Sequence, residues 1–247
     1  YNKMNVKIKS LKWLVLLNLL FLMTGCTTNK ASLKTADKKE VQNFTGTWAT
    51  AQMLVEPHNM APAPGLAQNT LRQIIKVSLG GKQVRLRFSN LFSDQPTVMK
   101  SVSIANVIEA PTVDAKTQKT LSFKGNSQIL LAPNEEVFSD VLDFELKPGQ
   151  LLAITIHYGE VSSTVSGHPG SRTTSYILEG DQMQNESFSG AVKTDHWYSI
   201  MGVDIIAGKK ESNVVCLGNS IIDGRGSGTN KQNRWTDILA ARLNANK

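Results

Sequence analysis

Apolar and polar residues alternate with a period of two through most of the chain between residues 45 and 207. The clearest runs are 75–79 (IKVSL) and 84–88 (VRLRF), and the Gly80-Gly81 pair between them is typical of a β-hairpin. Further runs of this kind occur at 101–107, 120–123, 128–131, 137–144 and 151–158. No helical period is sustained here, and the connections are too short for crossover helices. We therefore expect a mainly β fold in which residues 45–208 form an antiparallel, jelly-roll-like β-sandwich.

The pattern changes after residue 212. Residues 214–217 (VVCL) form a continuous apolar run bounded by turn residues, which indicates a buried strand of the parallel kind. Residues 233–243 place Trp235, Ile238, Leu239 and Leu243 on one helical face. A strand, a glycine-bearing loop and a helix are the first βα unit of an α/β domain. In this interpretation Cys216 is a small buried hydrophobic residue.

The N-terminus resembles a bacterial lipoprotein signal. From Met4 onward, Lys7, Lys9 and Lys12 precede the apolar run 13–23, which is followed by Thr24-Gly25-Cys26. That run is short for a retained membrane helix, the alternative interpretation, because a span needs about 20 residues. We expect residues 1–25 to be a signal peptide with a lipobox, and Cys26 to carry the lipid. The polar residues 26–44 are then a linker, and the protein is exported and anchored to the cell envelope, with the outer membrane favoured because Thr27 is not the Asp of an inner-membrane retention signal.

Charge and cysteine content narrow the function classes. The net charge is +7, but four lysines lie in the first 25 residues, which contain no acidic residue, so the remainder has a net charge of only +3. No basic run is interleaved with aromatic residues, and we expect no nucleic-acid partner. Lipidation of Cys26 leaves Cys216 without a partner, so no disulfide framework is expected.

Two polar clusters in the β-rich part are candidates for binding or catalysis. The loop 167–176 (GHPGSRTTSY) is dense in polar groups, and His168, Arg172 and Ser175 could orient a substrate, although a surface turn is the simpler alternative. The pair Asp195-His196 looks like an acid–base couple, but neighbouring side chains usually point in different directions. The four histidines of the chain lack the spacing of a metal site, so we expect neither a metal nor a cofactor.

The motif Gly218-Asn219-Ser220-Ile221-Ile222-Asp223-Gly224, with the helical pattern 233–243 behind it, resembles the first conserved block of SGNH (GDSL-type) hydrolases. Upstream pieces are similar to the branch of that family that has an N-terminal β-sandwich. They are 46–51 (GTWATA), 70–73 (TLRQ), 84–90 (VRLRFSN) and the loop 168–176. The resemblance runs from about residue 45 to the end of the chain. It implies a serine esterase with a flavodoxin-like α/β domain that begins at residue 213.

The resemblance also implies roles for single residues. Ser220 would be the nucleophile and its backbone N–H an oxyanion donor, with Gly218, Asn219 and Asp223 in support. Asn219 stands where the family usually has Asp, so a carboxylate is lost, while the amide keeps an acceptor and gains a donor. The family's remaining oxyanion donors and its catalytic His, three residues after an Asp, lie in later blocks. After Ser220 this chain has Asp223 and Asp237 but no histidine, so we interpret 213–247 as the truncated start of the domain and expect this chain alone to be inactive.

Two functions from different classes follow. The first is a carboxylic ester hydrolase that acts on acylated carbohydrates or similar small esters at the cell surface, with the membrane as partner through the lipid anchor. The alternative is a non-catalytic β-sandwich lipoprotein for carbohydrate binding or surface assembly, in which Ser220 merely belongs to a turn. An Asp-x-x-His block in the coding sequence after Lys247 discriminates between them. The sequence predicts no oligomeric state.

Overall fold

The computed structural model describes residues 43–206, 208 and 211–246 of the chain. The described residues belong to one compact unit, Gln42–Lys247. The predicted signal peptide, Cys26 and nearly all of the predicted linker lie outside the described residues. No helix within the described part of the chain is long and apolar enough to cross a membrane.

Strands account for nearly all of the regular structure between residues 44 and 206, which we call the β region. Two short 3₁₀ turns, Pro57–Asn59 and Ala115–Thr117, interrupt it. The strands are β1 (Phe44–Ala49), β2 (Met53–Leu54), β3 (Thr70–Lys76), β4 (Gly81–Ser89), β5 (Thr97–Glu109), β6 (Thr112–Val113), β7 (Lys119–Thr120), β8 (Ile129–Leu131), β9 (Glu136–Phe138), β10 (Leu142–Leu146), β11 (Leu151–Tyr158), β12 (Ser166–Pro169), β13 (Ser175–Leu178), β14 (Val192–Thr194), β15 (His196–Tyr198) and β16 (Ile200–Ile206).

The strands form three antiparallel sheets in the described residues. One has the order β1-β16-β4-β10, with β9 also on β4. The largest has the order β14-β13-β3-β11-β5-β6, with β7 and β8 also on β5, and the smallest has the order β15-β12-β2. The prediction of a mainly β, antiparallel fold is confirmed.

The two larger sheets share one apolar core. Leu86 and Phe88 from β4 and Leu71 and Ile154 from the largest sheet belong to the same buried cluster. Alternation along β4 turns Arg85 to the other face, where it pairs with Asp204 at 2.9 Å. The period of two in the sequence thus marks which side chains enter the core.

The predicted hairpin across Gly80-Gly81 is wrong. β3 pairs with β11 and β13, whereas β4 pairs with β16, β10 and β9 in another sheet. The chain passes from one sheet to the next at this turn, because both strands then present their apolar side chains to the shared core. Alternation alone identifies the strands but not the partner of each strand.

The outer face of the largest sheet holds a fully buried cation, Arg72 on β3. Its guanidinium donates to Thr155 Oγ1 and to the carbonyl oxygens of Pro111, Asn185 and Glu186 at 2.8 to 3.0 Å. Burial lowers the pKa of Arg72 to about 10. These bonds tie the loop before β14 to the sheet, and no pattern in the sequence indicates that this arginine is buried.

The C-terminal segment, residues 211–246, differs from the prediction in its first half. Residues 211–218 have no regular structure, Val215 is 88% exposed and Leu217 is 96% exposed. The predicted buried strand 214–217 is therefore wrong, and so is the predicted burial of Cys216, which is exposed. The physical reason is that no strand in the described residues pairs with this run, so nothing covers its side chains.

The predicted C-terminal helix is confirmed as α1 (Trp235–Ala245). Asp237 caps its first turn by accepting from the backbone N–H of Arg234 at 3.0 Å. No residue of α1 is buried, and Trp235 and Ile238 are 41% and 44% exposed. The described residues thus contain the helix of the expected βα unit without its strand.

Candidate functional site

Ser220 lies in a tight turn between the extended residues 211–218 and helix α1. The turn, residues 219–225, is closed by hydrogen bonds from Asp223 N to Asn219 O at 3.0 Å and from Arg225 N to Ser220 O at 2.8 Å. Asn219 Oδ1 accepts from Ile221 N at 3.1 Å. We call these residues the Ser220 turn. Ser220 is an exposed residue, and the bonds of the turn use backbone groups and the Asn219 amide, so none of them occupies its hydroxyl.

Gly218 is required by a close approach within this turn. A Cβ atom at that position would lie 2.3 Å from Cγ1 of Ile222. Any other residue would therefore push the chain before Ser220 away from the turn. The supporting role that the sequence suggests for Gly218 has this steric basis.

Two side chains from outside hold the Ser220 turn. Trp235, the first residue of α1, donates from Nε1 to the carbonyl oxygen of Ile222 at 2.7 Å. His168 on β12 places Nε2 2.9 Å from Asp223 Oδ1, and its Nδ1 lies 2.8 Å from the carbonyl oxygen of Ala51. The structure therefore joins two residues that the sequence nominated separately, His168 in the polar loop and Asp223 in the serine motif.

The loop between β12 and β13, residues 170–174, is the main contact of the β region with the chain that follows the Ser220 turn. We call it the docking loop. Asn230 donates from its backbone N to Arg172 O at 2.9 Å, and its amide accepts from Thr174 N and donates to Thr174 Oγ1, both at 2.8 Å. Such a reciprocal pair fixes both position and orientation.

Arg234 adds a charged contact to the docking loop. Its guanidinium donates to the carbonyl oxygen of Ser171 and to Thr173 Oγ1. The same group lies 5.3 Å from the ring centroid of Trp197 and 3.4 Å from the carboxylate of Asp237. Arg234 thus connects the docking loop, an aromatic residue of β15 and the first turn of α1.

The other residues of the predicted substrate loop are buried or half-buried. None of the residues 167–176 is exposed, so the surface-turn alternative is wrong. Ser175 is fully buried and donates to the carbonyl oxygen of His196 at 2.7 Å. Arg172 is half-buried, and its Nε is buried without a hydrogen-bond partner in the described residues. Of the three nominated side chains, only His168 contacts the Ser220 turn.

Asp195 and His196 do not act as a couple. The Asp195 carboxylate accepts from the hydroxyls of Thr174 and Thr229, both at 3.1 Å, and His196 Nδ1 accepts from Gly170 N at 3.0 Å. Burial lowers the pKa of His196, and the charge of Asp195 opposes that shift only in part. Both residues shape the docking loop.

Sequence reasoning missed the residues that attach the C-terminal segment, above all Asn230 and Arg234. Residues 225–234 (RGSGTNKQNR) contain no apolar side chain, which is typical of a loop. Polarity predicts that such a stretch avoids the core, but it does not identify a partner. Directional bonds to backbone groups far along the chain leave no periodic signal.

Within the described residues, no three His, Cys, Asp or Glu side chains are grouped as ligands for a metal ion. No protein-family model matches the chain, and no curated protein matches it. The resemblance to the SGNH hydrolases therefore stays a prediction from the motif residues and their order along the chain.

Proposed function

We propose that Ser220 is the nucleophile of a carboxylic ester hydrolase of the SGNH type, which acts on acylated carbohydrates or similar small esters. The observation that carries the proposal is the exposed Ser220, presented by a tight, internally hydrogen-bonded turn that residues 226–234 connect to helix α1. The order of motif, turn and helix is the one that the resemblance implies. Anchoring through Cys26 would place this activity at the surface of the cell envelope.

The chemistry is a two-step acyl transfer. Ser220 Oγ bonds to the ester carbonyl carbon while its proton passes to a base, and backbone N–H groups stabilise the oxyanion. The intermediate then releases the alcohol, which takes up that proton. Water attacks the acyl-serine in the second step, so the net reaction converts ester and water to acid and alcohol.

The general base is the part that the described residues do not supply. Both ring nitrogens of His168 are occupied, one by Ala51 and the other by Asp223. The resemblance implies a histidine three residues after an aspartate, in a block that would follow Lys247. In that proposal residues 214–217 become a strand of a parallel sheet, which would cover Val215 and Leu217.

The test begins with the codons that follow Lys247. The proposal expects an Asp-x-x-His block there and, in the chain that includes it, hydrolysis of an activated acetyl ester and of an acetylated oligosaccharide. Ser220→Ala should lower kcat/KM by at least about 10³-fold. Ser212→Ala, a change at an exposed serine of the same segment, should leave it unchanged.

The 247-residue chain, which has no histidine after Ser220, should give only background turnover. Turnover that survives Ser220→Ala, or a coding sequence without the base, would overturn the proposal. A longer chain that has the base but no Ser220-dependent turnover would instead favour the non-catalytic carbohydrate-binding or assembly function.

A further inference from the structure

His168 is buried on β12 with an oxygen acceptor at each ring nitrogen. The carbonyl oxygen of Ala51 can only accept, so Nδ1 must carry a hydrogen. The ionised carboxylate of Asp223 can also only accept, so Nε2 must carry one too. The two contacts are therefore satisfied together by the doubly protonated, cationic ring, which makes the contact with Asp223 a charge-assisted hydrogen bond.

We propose that His168 is a positioning residue, whose protonated ring holds Asp223 and through it the Ser220 turn on the β region. The proposal rests on the proposed function only where it gives the Ser220 turn a catalytic purpose. The attachment of the turn to His168 does not depend on an ester substrate. It makes the order of the Ser220 turn depend on the protonation of a side chain in a different part of the fold.

The coupling from Asp223 to Ser220 is short. Asp223 N donates to Asn219 O, and Arg225 N donates to Ser220 O, so both flanks of Asp223 close the turn that presents the serine. If the ring loses its Nε2 proton, a lone pair faces the carboxylate across 2.9 Å. The turn then loses this contact with the β region and keeps its internal bonds and the bond from Trp235.

Few other charges face His168. In the β region, His196 is close enough to interact electrostatically with His168. Burial lowers the pKa of His196, which favours its neutral form. In the C-terminal segment, Arg234 reaches the Trp197 ring, whose centroid is 6.1 Å from that of His168. Arg234 is itself paired with Asp237. Asp223 is therefore the anion in direct contact with the ring.

Hydrogen–deuterium exchange of the 247-residue chain tests the proposal, with rates corrected for the pH dependence of chemical exchange. Protection of peptides covering 219–226 should fall by about tenfold as the pH is raised and the ring loses its Nε2 proton. The His168→Gln variant should show weak protection at every pH. His58→Gln, a change at an exposed histidine, should behave as the parent chain.

Asp223→Asn gives the sharpest distinction. An amide at this position can donate to the lone pair on Nε2 of the neutral ring, so protection in this variant should rise with pH. Protection that is independent of pH in the parent chain, or that falls equally in Asp223→Asn, would overturn the proposal. Exchange in strand peptides such as those of β11 reports whether each variant folds. If His168→Gln fails to fold, Asp223→Asn still tests the proposal, because this substitution lies outside the β region. Because no ester is involved, failure here is distinct from failure of the esterase assay.

Discussion

The β region and the C-terminal segment belong to one compact unit but are stabilised by different interactions. In the β region, alternating side chains from two sheets fill a shared core, and Leu86 and Phe88 are completely buried. In the C-terminal segment the apolar side chains of 214–217 face solvent, and its contacts with the β region include hydrogen bonds that Asn230 and Arg234 donate and one that Asp223 accepts. Apolar burial supports a whole domain, whereas these bonds only fix where a loop sits.

The difference has an energetic consequence. A buried leucine contributes several kcal/mol, while a typical intramolecular hydrogen bond contributes only about 0.5–1.5 kcal/mol net. We therefore expect the β region to unfold cooperatively and the C-terminal segment to open locally at a much lower free energy. Three matched pairs of variants and one single variant test this contrast.

The two structural arginines should give the largest difference. Arg72→Met removes the fully buried guanidinium and leaves three carbonyl oxygens without this donor, so the free energy of unfolding should fall by about 4 kcal/mol. Arg234→Met should change global stability by less than about 1 kcal/mol, while hydrogen exchange in 219–234 becomes faster. Urea denaturation measures the first quantity, and equal losses for the two variants would remove the contrast.

Leucine truncation makes the same comparison for apolar side chains. Leu86→Ala, at a position with no exposure, should lower the free energy of unfolding by about 3 kcal/mol. Leu217→Ala, at a position 96% exposed, should stay within about 0.5 kcal/mol of the parent chain. Urea midpoints measured on the 247-residue chain decide this, and a large loss for Leu217→Ala would mean that the segment is covered in solution.

Substitution of two glycines distinguishes the effect of side-chain packing from the effect of backbone strain in the C-terminal segment. Gly224 has φ +94° and a Cβ there would lie 2.9 Å from Cγ of Arg234, whereas Gly226 has φ +96° and open space around it. Gly226→Ala should cost about 1 kcal/mol of local opening free energy through strain alone, and Gly224→Ala about 1 kcal/mol more. Exchange of the amides in 219–234 measures both, and equal costs would show that Arg234 is not packed on the turn.

The smallest effect concerns pH and His196. Burial lowers its folded-state pKa, so the unfolded chain binds the proton more readily. This residue should therefore reduce stability as the pH falls below the ordinary value of 6.5 and through the folded-state pKa. In His196→Gln, where the amide oxygen can still accept from Gly170 N, that part of the slope should vanish. Urea midpoints between about pH 5 and pH 7.5 compare the two chains, and identical slopes would contradict the shift.

Sequence patterns predict those features that repeat. The period of two identifies the strands around Leu86 and Ile154, and the spacing of Trp235 and Ile238 identifies helix α1. Strand pairing leaves no repeating signal in the sequence. For this reason the pattern predicts a hairpin of β3 and β4, although the two strands lie in different sheets.

The same reasoning explains the candidate site. The serine motif and the polar loop are visible as local clusters in the sequence. The polar loop indicates His168 as a candidate, and the serine motif indicates Asp223. Their contact joins residues 55 positions apart, and no local pattern reports such a distance. The exposure of 214–217 was missed because an apolar run indicates burial only when a neighbouring element is present to cover it.

The most direct test of the central claim is the position at which a fluorophosphonate reacts with a chain that carries the proposed Asp-x-x-His block. Mass spectrometry of the digested adduct should place the phosphonyl group on Ser220 and on no other serine, and Asp223→Ala should slow the labelling. An adduct elsewhere, or none on Ser220 in a chain that carries the Asp-x-x-His block, would contradict the assignment of Ser220 as an activated nucleophile.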